Sequence, residues 1–374
     1  VQAALELGEL LGGADTLHER AVAVRAFDFP ADHGPHPGFR TEWWYYTGNL
    51  TAEDGREFGY QLTFFRSALT DTASWLAAGM HGEADVAQRS TWRSRHAYMA
   101  HFAVSDIGAS RIHPAQRFAR DAQGLAGAQA EPFRVWLDDW SVAAEPGEPA
   151  EDGKFPVRLV AADGDVALDL VLHRGRPVVL QGDRGLSRKG PEPGNASYYY
   201  SYKRMPSEGT VRIGDRTWNV RGDSWLDREW STSALSPDLQ GWDWMALQFD
   251  DATEMMLYRL RRADGTAGPF SAGTFVHADG STTRLTVDDF TMSPTRQWQS
   301  PLDATSYPTG WRVVVPLLQL DVAVDAAFDA QELELAVRYW EGTVRISGTR
   351  GSASVRGRGY LEMTGYDAAA RDAT

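Results

Sequence analysis

The chain has 374 residues, with 37 Lys and Arg against 51 Asp and Glu, a formal charge of −14. That balance argues against a nucleic-acid binder, whose partner's phosphates call for a basic surface, and against docking on anionic lipid by charge. Cysteine is absent, which removes thiol catalysis, disulfides, Cys-ligated zinc and iron–sulfur clusters together. Hydrophobic residues at 43% and charged residues at 24% describe a globular chain long enough for about two cores. Only Lys154, Lys189 and Lys203 are lysines, a bias read as genomic base composition.

The first ~26 residues carry Leu5, Leu7, Leu10 and Leu11 before Gly12-Gly13. The pattern predicts a short N-terminal helical arm. The chain starts at Val1; a removed signal peptide or a trimmed end both suit that start. Val24 to Arg40, with Pro30, Pro35 and Pro37, is expected to be extended.

From Thr41 the period is two. Trp44, Tyr46 and Gly48 alternate with Trp43, Tyr45 and Thr47; a turn at Ala52-Glu53-Asp54-Gly55 leads to Phe58, Tyr60, Leu62 and Phe64. This predicts a β-hairpin with an Asp-Gly turn. The alternation returns at Val166 to Leu172 and at Leu333 to Val337, and Asp-Gly pairs recur at 163–164, 264–265 and 279–280. Many short strands with tight turns predict an all-β chain of antiparallel barrels or sandwiches.

One segment echoes another. Glu42 to Tyr46, a turn, then Phe58 to Arg66 resembles Trp242 to Trp244, a turn at Asp250 to Thr253, then Met255 to Arg259. Copies about 200 residues apart suit two barrel-like halves. The turn-rich Pro206-Ser207-Glu208-Gly209 sets the expected boundary: an arm over 1–26, a first domain over 27–208 and a second over 209–374.

No nucleophile elbow, zinc helix, phosphate loop or dinucleotide fingerprint is present. His33 and His36 flank Pro35 in a loop, and His96 and His101 fall on opposite faces of a strand. No metal and no cofactor are expected. The strongest signals are carboxylates inside aromatic clusters: Glu42 with Trp43 to Tyr46, Asp227 and Glu229 between Trp225 and Trp230, Asp243 between Trp242 and Trp244, and Glu341 and Glu362 near Tyr339, Trp340 and Tyr360. Tyr198, Tyr199, Tyr200 and Tyr202 form a further cluster. Alternating aromatics are usually core, and an acid beside an arginine is usually a structural ion pair. Their concentration favours a second reading. A buried acid without a cation stays protonated, and facing an apolar hollow it becomes a proton donor.

Six segments carry a resemblance: Phe39 to Gly48, Tyr60 to Arg66, Tyr98 to Asp106, Gly222 to Trp230, Gly241 to Trp244 and Gly359 to Tyr366. In collinear order from Phe27 to Tyr366, they resemble the AttH / carotenoid 1,2-hydratase (hydroxyneurosporene synthase) family. The resemblance implies two lipocalin-like antiparallel β-barrel domains and an exported, periplasmic or secreted bacterial protein. Such a protein would lie near a membrane through a removed signal or lipid anchor. It also implies hydration of an alkene in a bulky apolar, terpenoid or carotenoid-like substrate. The carotenoid branch tends to carry an Asp-His-Asn segment where this chain has Asp227-Arg228-Glu229, so the Asp is kept and the histidine is not.

By that match Asp227 is the proton donor, and Glu229 or Glu42 orients water. Trp43, Trp44, Tyr46, Tyr200, Trp225, Trp242 and Trp244 would wall the pocket, with His101 and Glu362 as further contacts. Three alternatives stay open: a carrier that binds an apolar ligand without reacting, a secreted hydrolase, and a pericyclase-like enzyme that needs shape and polar contacts but no essential acid.

Overall fold

The computed structural model describes residues 17–70, 94–147, 153–233 and 235–366. Two large, curled antiparallel sheets hold most of them, in agreement with the all-β, barrel-like reading. The expected helical arm falls largely on residues 1–16, outside the described residues; residues 17–28 carry no helix. The extended stretch before Arg40 contains one short 3-10 turn, Ala31–His33.

The first sheet grows from the predicted hairpin. β1 (Thr41–Ala52) turns into β2 (Glu57–Ala68) at Gly55, whose φ of 83° suits glycine. β3 (His96–Asp106) and β4 (Arg111–Arg120) extend it outward. Then come β5 (Ala126–Gln129), β6 (Arg134–Leu137), β7 (Trp140–Ala144), β8 (Val157–Asp163) and β9 (Val166–Leu172). The short β10 (Val179–Leu180) and β11 (Leu186–Arg188) both pair with the long β12 (Ala196–Ile213). β13 (Arg216–Ser231) lies between β12 and β1, joining the end of this sheet to its beginning.

The second sheet opens on the hairpin β14 (Leu239–Phe249) and β15 (Glu254–Arg262). It continues through β16 (Ala272–Val276), β17 (Thr282–Thr286), β18 (Thr291–Gln299), β19 (Ser306–Val315) and β20 (Leu320–Ala326). β21 (Glu332–Leu333) is a short edge partner of β22 (Tyr339–Arg350), and β23 (Ala353–Met363) runs back beside β14. In both sheets the first strand therefore pairs with the second and the last. The two echoing segments are these equivalent first hairpins. The change of sheet falls between Ser231 and Leu239, so the division expected at residue 208 cuts through β12 and is corrected. The Pro206 to Gly209 stretch is paired strand, in register with Asp223 to Val220.

Each sheet curls around its own core. On β1, β12 and β13 the even-numbered Trp44, Tyr46, Tyr200, Leu226 and Trp230 fill the first one. A separate cluster, including Tyr45, Tyr199, Trp225, Trp244 and Tyr360, lies where the outer faces of the two sheets meet. That second contact buries strands on both faces.

Candidate active site

Strand register builds the site as facing rows. On the outer face of the first sheet one row runs Ser201, Asp227, Tyr45, Thr63, His101, across β12, β13, β1, β2 and β3. The next row runs Tyr199, Glu229, Trp43, Phe65. The second sheet contributes Tyr258, Trp244, Glu362 and Glu341 across β15, β14, β23 and β22. The rows touch at Tyr45. Its hydroxyl donates to Glu341, and its ring stands edge-on to Trp244 with centroids 5.2 Å apart.

Between the rows is a cavity of ≈ 130 Å³, lined by aromatic rings and by four carboxyls: Asp227, Glu229, Glu341 and Glu362. Asp227 and Glu229 share a face, as their spacing of two predicts. Asp227 is 3% exposed. It accepts hydrogen bonds from Tyr199 Oη, from Ser201 Oγ at 2.5 Å and from Trp225 Nε1 at 2.7 Å. Burial outweighs these bonds and, helped by the charge of Glu229, pushes its carboxyl up to about 7. Glu229 accepts from Ser197 Oγ and lies 3.3 Å from Lys189 Nζ. Burial opposes the Lys189 ammonium, but the carboxylates, Glu229 first, overcome it and hold its pKa above the usual lysine value. The ammonium also sits 4.2 Å from the centroid of the Tyr258 ring.

Glu341 and Glu362 are direct cross-strand partners. Gln61 Nε2 donates to Glu341 at 2.9 Å, and Trp242 Nε1 donates to Glu362 at 2.9 Å. Burial raises Glu341 to about 7; burial and then the charge of Glu341 raise Glu362 well above the carboxylate range. His101 is fully buried, which lowers it to about 3 and keeps the imidazole neutral. Its Nδ1 lies 2.8 Å from Tyr339 Oη.

The structure brings Trp43, His101, Asp227, Glu229, Trp242, Trp244 and Glu362 to the cavity. Trp225 lies just beneath, bonded to Asp227. It does not bring Trp44, Tyr46 or Tyr200, whose side chains belong to the first core. The expectation for Glu42 is corrected. Its carboxylate points into the first barrel, bound by the Arg66 and Arg228 guanidiniums, and these hold it well below the usual range against the cost of burial. Asp243 repeats the device in the second barrel, held by Arg259 Nε at 2.8 Å and Tyr366 Oη at 2.8 Å. Glu42 and Asp243 are thus clamped by guanidinium, while Asp227, Glu229, Glu341 and Glu362 face the cavity.

Tyr45, Thr63, Lys189, Tyr199, Tyr258, Tyr339 and Glu341 are among the further lining residues and were not singled out as site residues. Lys189 carried a signal in its rarity. Among the described residues no three side chains gather as a metal ion would require.

A family model described as AttH-like matches residues 20–366. The chain belongs to the AttH-like family. A candidate AttH from Nitrosomonas europaea is 32% identical, with a TM-score of 0.78 over 93% of this chain and 99% of that one. Kievitone hydratase from Nectria haematococca is 15% identical, with a TM-score of 0.68 over 94% of this chain and 97% of that one, a likeness of fold. No curated protein matches the AttH-like chain by sequence.

Proposed function

We propose that this AttH-like protein is a hydratase that adds water across an alkene of an apolar substrate held between its two barrels. The observation that carries the reading is Asp227: a buried carboxyl raised to about 7, free of guanidinium, at the wall of a ring-lined cavity. Asp227 gives its proton to one alkene carbon, leaving a tertiary carbocation on the other. The faces of Trp43, Trp242 and Trp244 stabilise that cation by about 1–2 kcal/mol per well-placed ring. Water bonds to the cation and loses a proton to Glu229. The proton then returns to Asp227 on the same strand face, and the sum is alkene plus water to alcohol. Lys189 orients Glu229 throughout.

Cavity size bears on the substrate. At about 10–15 Å³ of such space per water, the hollow holds on the order of ten waters. It suits a compact alkene or the end of a long one, rather than a whole carotenoid. Incubating the protein in heavy-oxygen water with an acyclic terpene and with a prenylated phenol tests the reading. Label in an alcohol supports it. Label in a carboxylate would point to a hydrolase, and no label to a carrier; either result overturns it.

A further inference from the structure

We propose that the cavity has a second polar station, at His101 and Thr63, that seats a hydroxyl group of the substrate. The inference rests on the hydratase reading only in taking Asp227 as the reacting end.

Thr63 and His101 are register partners on β2 and β3, and both line the cavity. Among the described residues neither Thr63 Oγ1 nor His101 Nε2 has a hydrogen-bond partner. A buried polar atom left unmade costs about 1–3 kcal/mol, so two adjacent ones at a cavity wall mark where a ligand's polar group belongs. The imidazole is not free to turn away. Tyr339 Oη holds Nδ1 from below and receives Gln61 Nε2 at 2.9 Å, and Gln61 also donates to Glu341. The Tyr339 ring lies against the imidazole, with 27° between planes, and Phe65 stands edge-on to it.

A neutral imidazole presents Nε2 as either acceptor or donor, depending on where its proton sits. A hydroxyl can satisfy both forms, and it can answer the Thr63 hydroxyl as well. An ether or ketone oxygen serves only one form, and a bare hydrocarbon serves neither.

Register also sets a length. From Asp227 to Thr63 is two strand steps and to His101 three. At about 4.8 Å per step these are roughly 10 and 14 Å between backbones. The substrate class is therefore a hydroxylated alkene, a phenol or alcohol whose oxygen is about two linked rings from the double bond.

The test is equilibrium dialysis of the full chain with 4-hydroxybiphenyl, 4-methoxybiphenyl and biphenyl. The wild type is expected to bind the phenol at least about tenfold more tightly than the other two. Thr63→Val, which keeps the shape, and His101→Phe should each bring that ratio toward one while changing biphenyl affinity less than about twofold. Equal affinities in the wild type, or a preference intact in Thr63→Val, overturn the proposal. The readout needs no turnover, so a protein that prefers the phenol yet hydrates nothing refutes the hydratase reading alone.

Discussion

Glu341 and Glu362 face each other across β22 and β23 at the cavity wall, with no guanidinium among the described residues paired to either. Both prefer the protonated state because burial penalises two adjacent charges. A carboxyl raised on folding contributes stability in full below its unfolded value near 4.5 and loses it as pH rises through about 7. Glu362→Gln should therefore raise the Tm at pH 8 by about 2 °C or more, and by less at pH 5. Thermal melts at the two pH values check this; a larger gain at pH 5 contradicts it.

Asp227→Asn should lower kcat by about a hundred- to ten-thousand-fold while leaving the far-UV circular dichroism unchanged. A donor must be protonated, so wild-type kcat should fall as pH rises through about 7. A flat profile across that range, or full activity in the variant, removes Asp227 from the chemistry.

Lys189→Met takes away the cation beside the two carboxyls of β13. Without it, ionised Asp227 is less favoured. The falling limb of the kcat profile should move up by about half a unit to one unit. A downward shift would show that Lys189 does not act on the donor through its charge.

Glu42→Gln should act on stability. It leaves Arg66 and Arg228 buried beside a neutral amide, a change that costs about 3–5 kcal/mol. In the wild type this contribution is complete above the ordinary glutamate value of 4.5 and lost as pH falls through the lower folded value. Urea titrations at pH 7 should show the loss. Ligand affinity of the folded variant should match the wild type; a large drop in affinity would return Glu42 to the site.

The hairpin from Thr41, the all-β pattern and the shared face of Asp227 and Glu229 were legible because alternation and Asp-Gly turns are local signals. The choice between Trp43 and Trp44 was not. Alternation identifies a buried face by contrast with a wet one, and β1 has both faces covered, one by its own barrel and one by the other sheet. Trp44, Tyr46 and Tyr200 looked as suitable as Trp43, Tyr45 and Tyr199 for that reason. Glu42 misled similarly: the Arg66 opposite it was visible as part of an echo, but the Arg228 that completes the clamp arrives from 186 residues away. Glu341 was visible as an acid beside Tyr339 and Trp340, but not as a cavity residue, because that place depends on how one sheet docks against the other, which no local period records.

Asp227, the proposed donor, and the Glu229–Lys189 pair come from the first barrel, while Glu341, Glu362 and two of the tryptophans come from the second. Evolution can thus treat the two halves separately. Replacing the C-terminal barrel by one from a cousin would refit half the wall around an untouched acid, and a new taste in substrates would not require the chemistry to be invented again.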